Sequence, residues 1–213
     1  MKHIRKDITN QPNSLTEVQS TPGAFFDDCN KEDIRQALLK EQGYICAYCM
    51  RRIDDRRDKY GSPRIFIEHY VPQSEDRLLS LTYMNMLGVC NGNDGFPKHL
   101  QHCDRSRGNS PLTIDPRLER CEILIKYTSG GEIYSDDPAV NNDLNSTLNL
   151  NKPRYLVDGR KIAIDQARKE LKGWSEREIK RAIRKWSQLN KDGRFPEFCQ
   201  AAVYYLKKKL RSR

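Results

Sequence analysis

Long hydrophobic runs are missing from this sequence. No stretch approaches the roughly 18 consecutive apolar residues that a membrane-spanning helix requires, which excludes a helix of that kind. The first residues, from Met1 to Asp7, contain no apolar segment of the secretory type, and they predict a cytoplasmic protein. Apolar residues make up 37% of the 213 residues and charged residues 31%, so we expect a thin core with many polar loops.

Acidic residues are scarce in the last third of the chain. Residues 151–213 contain 19 Lys and Arg against 7 Asp and Glu, whereas residues 1–150 contain 19 against 22. The net charge of +9 therefore combines a nearly neutral N-terminal part with a strongly basic C-terminal part. A basic block of this size is typical of a surface that binds nucleic-acid phosphates or docks an acidic partner protein, and both interpretations remain open.

The chain divides into three predicted regions. Residues 1–27 show no sustained period and predict an irregular N-terminal arm, whereas residues 28–135 contain most of the cysteines and polar motifs. Residues 136–213 predict a basic helical region. The expected elements are a helix over 31–42, a strand over 64–71, a helical start to 78–89, a β hairpin from 122–127 and 132–134, a helix opened by a capping box at 175–178, and a last helix from about Pro196.

Seven cysteines are an odd number, which argues against a set of disulfides and in favour of metal ligands. Cys46 and Cys49 form a C-x-x-C pair, but 12 residues separate Cys90 from Cys103, more than the usual spacing of about two to four. This gap is tolerable if residues 91–102 form a loop inserted into the second knuckle, since loop closure becomes costlier only slowly with length. We therefore predict one structural Zn²⁺ site made of these four cysteines.

Two histidines compete with the thiols as ligands. His99 or His102 could replace one cysteine and give a site of three thiolates and one imidazole. The three other cysteines are predicted to be small buried apolar residues and not ligands. These are Cys29, Cys121 and Cys199.

An ordered set of polar residues accompanies the two cysteine pairs. Glu68 and His69 end the predicted strand, Asn85 precedes the third cysteine, and Asp104 directly follows the fourth. This order resembles the HNH, or ββα-metal, endonucleases of the zinc-stapled kind, over roughly residues 44–109. The segments IEHYVPQS and HCDRSRGN are most similar to the retron-associated and Septu-type (PtuB-like) group of these enzymes.

The resemblance implies an α+β fold with a zinc-stapled, treble-clef-like ββα-metal core, an added β hairpin and a helical C-terminal region. It implies an endonuclease that hydrolyses nucleic-acid phosphodiester bonds as the effector of a bacterial anti-phage defence complex. The implied partners are a PtuA-like ATPase and, in retron systems, a reverse transcriptase with its DNA. The alternative is a zinc-stapled adaptor that binds nucleic acid or a partner without cutting.

Chemical roles can be assigned within this motif. His69 is the candidate general base, because imidazole is the side chain that titrates near neutral pH. Glu68 and Asp104 are expected to ligate a catalytic Mg²⁺ or Mn²⁺, since carboxylate oxygens suit such hard cations better than they suit Zn²⁺. His102 is an alternative to Asp104 as a ligand of that ion.

Three further residues complete the predicted site. Asn85 is expected to hold the loop that follows the strand and to orient His69. Arg105 and Arg107 are candidate contacts to substrate phosphates. The sequence leaves open whether the substrate is DNA or RNA.

Overall fold

Helices and two short antiparallel sheets make up the α+β structure, a computed structural model that describes residues 1–57 and 63–212. Residues 58–62 and 213 lie outside this description. The α-helices are α1 (Asn13–Gln19), α2 (Lys31–Glu41), α3 (Asp104–Arg107), α4 (Arg120–Leu124), α5 (Pro138–Asn142), α6 (Arg154–Lys169), α7 (Glu176–Ser187) and α8 (Cys199–Arg211). The strands are β1 (Phe66–His69), β2 (Met86–Val89), β3 (Lys126–Tyr127) and β4 (Ile133–Tyr134). In the described ranges, none of the helices has the length and apolar character needed to cross a bilayer.

The β1–β2 sheet supports the candidate site. The strands are antiparallel, with Phe66 opposite Val89 and His69 opposite Met86. This register places the end of β2, from which Cys90 leaves, beside the start of β1. Helix α2 packs against both strands and helps to bury every residue of β2.

Helix α2 confirms the predicted helix over 31–42. The Asn30 side chain accepts hydrogen bonds from the backbone N–H groups of Glu32 and Asp33, which satisfies donors that the first turn leaves unpaired. The helix ends before Gly43, whose φ of +57° favours glycine. A Cβ atom at Gly43 would also lie 2.5 Å from the Phe195 ring, so packing requires glycine there as well.

The N-terminal segment differs from the predicted irregular arm. It contains α1, and Leu15 of that helix is fully buried. Lys6 forms an ion pair of 2.6 Å with Glu41 of α2, and both side chains are almost fully buried. One cluster of buried apolar side chains extends from Met1 to Leu206, because the segment packs into the same core as the C-terminal helices.

Two predicted elements in the middle of the chain have different structures. The expected helical start to 78–89 consists of 3₁₀ turns at Arg77–Leu81 and Tyr83–Asn85, followed by β2. The expected strand over 122–127 begins as the short helix α4, and only its end joins the β3–β4 hairpin. Ile123 explains why a strand was predicted over 122–127. It extends an apolar run in the sequence, but its side chain is 76% exposed in the structure.

The C-terminal region is helical, as predicted. The capping box of α7 is present: Ser175 Oγ accepts from the Glu178 N–H, and the Glu178 carboxylate accepts from the Ser175 N–H at 3.0 Å. Helix α8 begins at Cys199 and not near Pro196, since Phe198 adopts a left-handed conformation with φ of +53°. Helix α8 packs against both α6 and α7.

Candidate functional site

The first cysteine pair lies on a tight turn. The backbone N–H of Cys46 donates to the Arg51 carbonyl at 2.8 Å, and the N–H of Met50 donates to the Cys46 carbonyl at 3.0 Å. Met50 has a φ of +65°, so the chain reverses directly after Cys49. This turn directs two thiols from neighbouring positions toward one point.

The second cysteine pair is brought together across a loop. Cys90 follows β2, and Cys103 precedes α3. Between them, the His102 N–H donates to the Gly92 carbonyl at 2.9 Å and closes the segment at its base. A Cβ atom on Gly92 would lie 2.3 Å from the His102 carbonyl oxygen, so only glycine permits this approach. Residues 91–102 therefore form a closed loop that brings Cys90 and Cys103 together.

The four thiols form a compact buried cluster. All four Sγ atoms lie within 4.8 Å of one another. The Cys49–Cys90 distance is 3.7 Å, and Cys46 and Cys90 each lie 3.9 Å from Cys103. A tetrahedral ion with bonds of about 2.3 Å to sulfur requires separations of roughly 3.8 Å. These cysteines can therefore hold a metal ion such as zinc.

Electrostatics also favours a cation at this cluster. Burial raises the pKa of both the Cys49 and the Cys103 thiol well above the ordinary pKa of a cysteine. Several thiolates cannot share a buried space without an opposite charge, whereas a divalent ion stabilises the deprotonated form.

Neither competing histidine joins the thiol cluster in the described part of the chain. His102 is fully buried, but its Nδ1 lies 3.1 Å from the Cys103 sulfur, within hydrogen-bond distance. Its Nε2 is hydrogen-bonded to the Tyr155 hydroxyl of α6, which itself donates to the Asn93 side chain at 2.9 Å. His99 is exposed. His102 is thus a hydrogen-bond partner of a thiol, and four sulfurs form the cluster.

The three remaining cysteines are buried outside the cluster, as predicted. Burial raises the pKa of the Cys121 and Cys199 thiols to about 11, and it also raises the pKa of the Cys29 thiol. All three are therefore protonated at neutral pH and pack as small apolar side chains.

Three predicted catalytic residues line one cleft. Glu68, His69 and Asp104 meet at an open cleft of about 300 Å³, together with Gln73 and Asn109. A larger cavity of about 610 Å³ lies beside α8, but its Glu122 is already paired with Lys2 at 2.6 Å. We identify the smaller cleft as the candidate site because it combines two neighbouring carboxylates, Glu68 and Asp104, with the buried imidazole of His69.

Glu68 is subject to opposing electrostatic effects. The Tyr48 hydroxyl donates to Oε1 of Glu68 at 2.9 Å, and the Arg107 guanidinium forms an ion pair with the same oxygen. Burial and the negative charge of Asp104 outweigh these contacts and raise the pKa of Glu68 from 4.5 to about 8. A cation that both carboxylates contact would remove this repulsion.

His69 has one nitrogen anchored and the other available. Its Nε2 lies 2.8 Å from the Ser80 carbonyl, which can only accept, so Nε2 carries the proton. Its Nδ1 then accepts a hydrogen bond from the Gln73 side chain at 3.1 Å. Gln73 also lines the cleft, so Nδ1 faces the cleft. The Phe26 ring packs against the imidazole with centroids 4.6 Å apart. Burial lowers the pKa of His69, which favours the neutral imidazole.

Asn85 holds the loop that follows β1. Its Oδ1 accepts from the Val71 N–H at 2.8 Å, and its Nδ2 donates to the carbonyls of Val71 (3.0 Å) and Leu79 (3.2 Å). The residue after Leu79 is Ser80, whose carbonyl accepts from His69. Asn85 therefore acts on His69 through this loop and not by direct contact.

The two predicted phosphate contacts differ in exposure. The Arg107 side chain is 1% exposed and donates to the carbonyls of Ser110 (2.8 Å) and Tyr70 (2.6 Å). These contacts withdraw the Arg107 guanidinium from solvent and assign it a structural role, which does not favour the predicted phosphate contact. Arg105 is exposed and pairs with Asp94 at 3.0 Å, so it can exchange this partner for a phosphate.

Two residues that contact the predicted site were missed from the sequence. Tyr48 lies between the first two cysteines, and Gln73 lies four residues after His69. Both belong to segments already singled out, so polar side chains within those segments were the available signal.

The thiol cluster and the cleft are adjacent. Cys103 belongs to the cluster, and the next residue, Asp104, lines the cleft. Any ion that fixes Cys103 therefore also helps to fix the position of Asp104. Comparison of the chain with models of known protein families and with curated proteins gives no match.

Proposed function

We propose that this chain is a metal-dependent endonuclease of the HNH, or ββα-metal, kind, which hydrolyses nucleic-acid phosphodiester bonds. The observation that carries the proposal is the cleft in which Glu68, His69 and Asp104 meet beside four buried thiols. The resemblance of the same residues to the HNH motif supports it independently of the geometry.

His69 would act as the general base. Its neutral Nδ1 has a lone pair, and the water that attacks phosphorus would take the place of the Gln73 side chain. That water transfers its proton to Nδ1 as its oxygen bonds to phosphorus, and the bond to the departing 3′ oxygen breaks. The Ser80 carbonyl stabilises the resulting imidazolium, since it accepts from Nε2 at 2.8 Å.

Glu68 and Asp104 would hold the catalytic divalent ion. When bound, Mg²⁺ or Mn²⁺ supplies positive charge that stabilises the scissile phosphate and the leaving oxygen. Two carboxylates suffice as protein ligands, because Mg²⁺ usually keeps several waters and binds substrate phosphates as well. Both protein donors to Glu68 use Oε1, which leaves Oε2 for the ion.

Cleavage assays test the proposal. The zinc-loaded chain is incubated with end-labelled DNA and RNA, in duplex and single-stranded form, with and without millimolar Mg²⁺ or Mn²⁺. We expect cleavage of at least one substrate, and only with the divalent ion present. If every substrate is bound but none is cut, the chain is instead a zinc-stapled adaptor that binds nucleic acid.

Stability should show a pH-dependent response to Mg²⁺. Between pH 4.5 and about 8, folded Glu68 holds a proton that the unfolded chain has lost, so without the ion the free energy of unfolding falls as pH rises. Mg²⁺ binds the ionised form, and the increase in melting temperature that it causes should grow as pH rises toward 8. The full effect is at most a few kcal/mol.

Thermal melts between about pH 6 and 8, with and without Mg²⁺, measure this response. Glu68→Gln should abolish its pH dependence, whereas Glu17→Gln, a matched change at an exposed carboxylate, should leave it intact. A Mg²⁺ effect that is equal at all pH values, or that survives in Glu68→Gln, would show that the ion binds elsewhere.

The biological setting that we propose rests on the resemblance to the retron and Septu groups. The chain would be the effector nuclease beside an ATPase in anti-phage defence, in some systems with a reverse transcriptase and its DNA. Affinity purification of the tagged full chain from its native cells should recover a P-loop ATPase, identified by mass spectrometry. Recovery of the chain without any P-loop ATPase would contradict this assignment.

A further inference from the structure

Helix α7 carries a row of arginines on its outer face. Arg177, Arg181 and Arg184 follow one another at i, i+4 and i+7, and all three are exposed. At about 1.5 Å per residue they cover roughly 10 Å of the helix axis. The opposite face buries Ile179 and Trp186 against the rest of the protein. The row is therefore fixed on a packed helix and points outward.

Nearby acidic residues are engaged elsewhere. Glu176 pairs with Lys180, Glu170 pairs with Lys185 at 2.8 Å, and Glu178 caps the helix through Ser175. No side chain in the described ranges forms an ion pair or hydrogen bond with the guanidinium groups of the arginine row. Lys180 and Lys185, the other two exposed cations of this helix, thus have ion-pair partners, whereas the row has none among the residues that the structure describes.

This arrangement weakens the isolated helix. Like charges at i, i+4 destabilise a helix, and the pair Arg177 and Arg181 has this spacing. A bound polyanion would reverse the sign of that contribution. Helix α7 presents no large exposed apolar side chain, which the centre of a protein–protein interface normally contains.

We infer that the arginine row of α7 binds the phosphate backbone of a nucleic acid. Guanidinium groups in line match a backbone whose charges recur every few ångströms, and they contact phosphates without reading sequence. This surface contains none of the residues that line the candidate cleft. The inference deepens the proposed function and rests on it in one respect, that the bound nucleic acid is the substrate.

Binding measurements in a His69→Ala background separate this inference from cleavage. The probe is a fluorescein-labelled DNA duplex, with an RNA duplex of the same sequence as a second arm, in fluorescence anisotropy titrations at several salt concentrations. Arg177→Gln, Arg181→Gln and Arg184→Gln are combined in one variant. It should bind at least one duplex at least about tenfold more weakly at roughly 0.1 M salt, and its log–log salt slope should fall by about 2.7.

The control removes the same total charge from scattered positions. Arg5→Gln, Lys40→Gln and Lys98→Gln change three exposed cations outside α7, and this variant should bind each duplex within about twofold of the parent. Equal weakening by the control would show that only net charge matters. Parent-like binding by the arginine-row variant, or a parent chain that binds neither duplex, would overturn the inference. Cleavage by the chain with His69 intact tests the proposed function separately.

Discussion

Cys46→Ser is expected to unfold the whole chain and not only the turn around the first cysteine pair. The thiol cluster connects distant parts of the core, since the Cys103 N–H donates to the Leu148 carbonyl at 2.9 Å. The Phe198 N–H likewise donates to the Met50 carbonyl at 3.1 Å and joins α8 to the first pair. Loss of the metal therefore removes contacts on both sides of the cluster.

The expected loss of free energy is as large as the whole stability of an ordinary domain. A structural zinc site contributes about 10–16 kcal/mol in small zinc-binding peptides, whereas whole domains are stable by about 5–15 kcal/mol. Serine offers a neutral hydroxyl where the ion needs a thiolate. Burial raises the pKa of the Cys49 and Cys103 thiols, so these two cannot stay ionised together with Cys90 beside a weakly bound ion.

Metal analysis and circular dichroism test this prediction together. The parent chain should contain one zinc per chain and melt cooperatively, and Cys46→Ser should contain none and lack a melting transition. Cys29→Ser is the matched control, since it changes a buried cysteine outside the cluster and should keep the metal. A Cys46→Ser chain that is folded and free of metal would show that the cluster is dispensable. A metal other than zinc in the parent would correct the identity of the ion.

Helix signals that depend on local chemistry could be predicted from the sequence. The Asn30 cap and the Ser175–Glu178 capping box both formed, because these side chains bond to backbone groups only two or three residues away. The cysteine cluster was also predictable, since metal geometry requires the four thiols to converge whatever the loop between Cys90 and Cys103 does.

Elements that depend on tertiary contacts could not be predicted. Strand β2 is buried on both faces, so it lacks the alternation that identifies a strand. Helix α4 has only five residues. Its Cys121 is buried and anchors the helix, whereas its Ile123 faces solvent. The segments that form β2 and α4 are both too short for the spacing of their apolar residues to distinguish a strand from a helix.

Some of the site residues could likewise be predicted from local sequence, whereas the role of others depends on tertiary contacts. Glu68, His69 and Asp104 were predictable as a motif, and the structure brings all three to one cleft. The burial of Arg107 could not be predicted, because an arginine that follows a cysteine motif is normally expected to be an exposed cation. Its partners Glu68 and Tyr70 become neighbours of α3 only through the fold.

His69→Ala is expected to lower kcat by about 10²–10⁴-fold, the range that a well-placed general base supplies. The alanine variant should keep its zinc, because the nearest contacts of His69 are Ser80, Gln73 and Phe26 and none of them is a cysteine ligand. Substrate binding should change little, since His69 is buried and its imidazole contributes no charge to phosphate attraction when neutral.

The pH profile identifies the role of His69 more sharply than the size of the loss. Burial places the pKa of His69 below its ordinary value of 6.5, so the fraction of neutral base rises with pH and the neutral form predominates at pH 7. With saturating Mg²⁺, kcat should therefore rise with pH below 6.5 and then level off. The residual activity of His69→Ala should lack this rise.

His99→Ala provides the matched control, since His99 is exposed and lies outside the cleft. It should keep the rate and the pH profile of the parent. Each variant is purified in the same way, so that cleavage by a contaminating nuclease would appear equally in all preparations. If His69→Ala cuts as fast as the parent, its imidazole is not the base, and the Glu68–Asp104 pair would have to activate water without it.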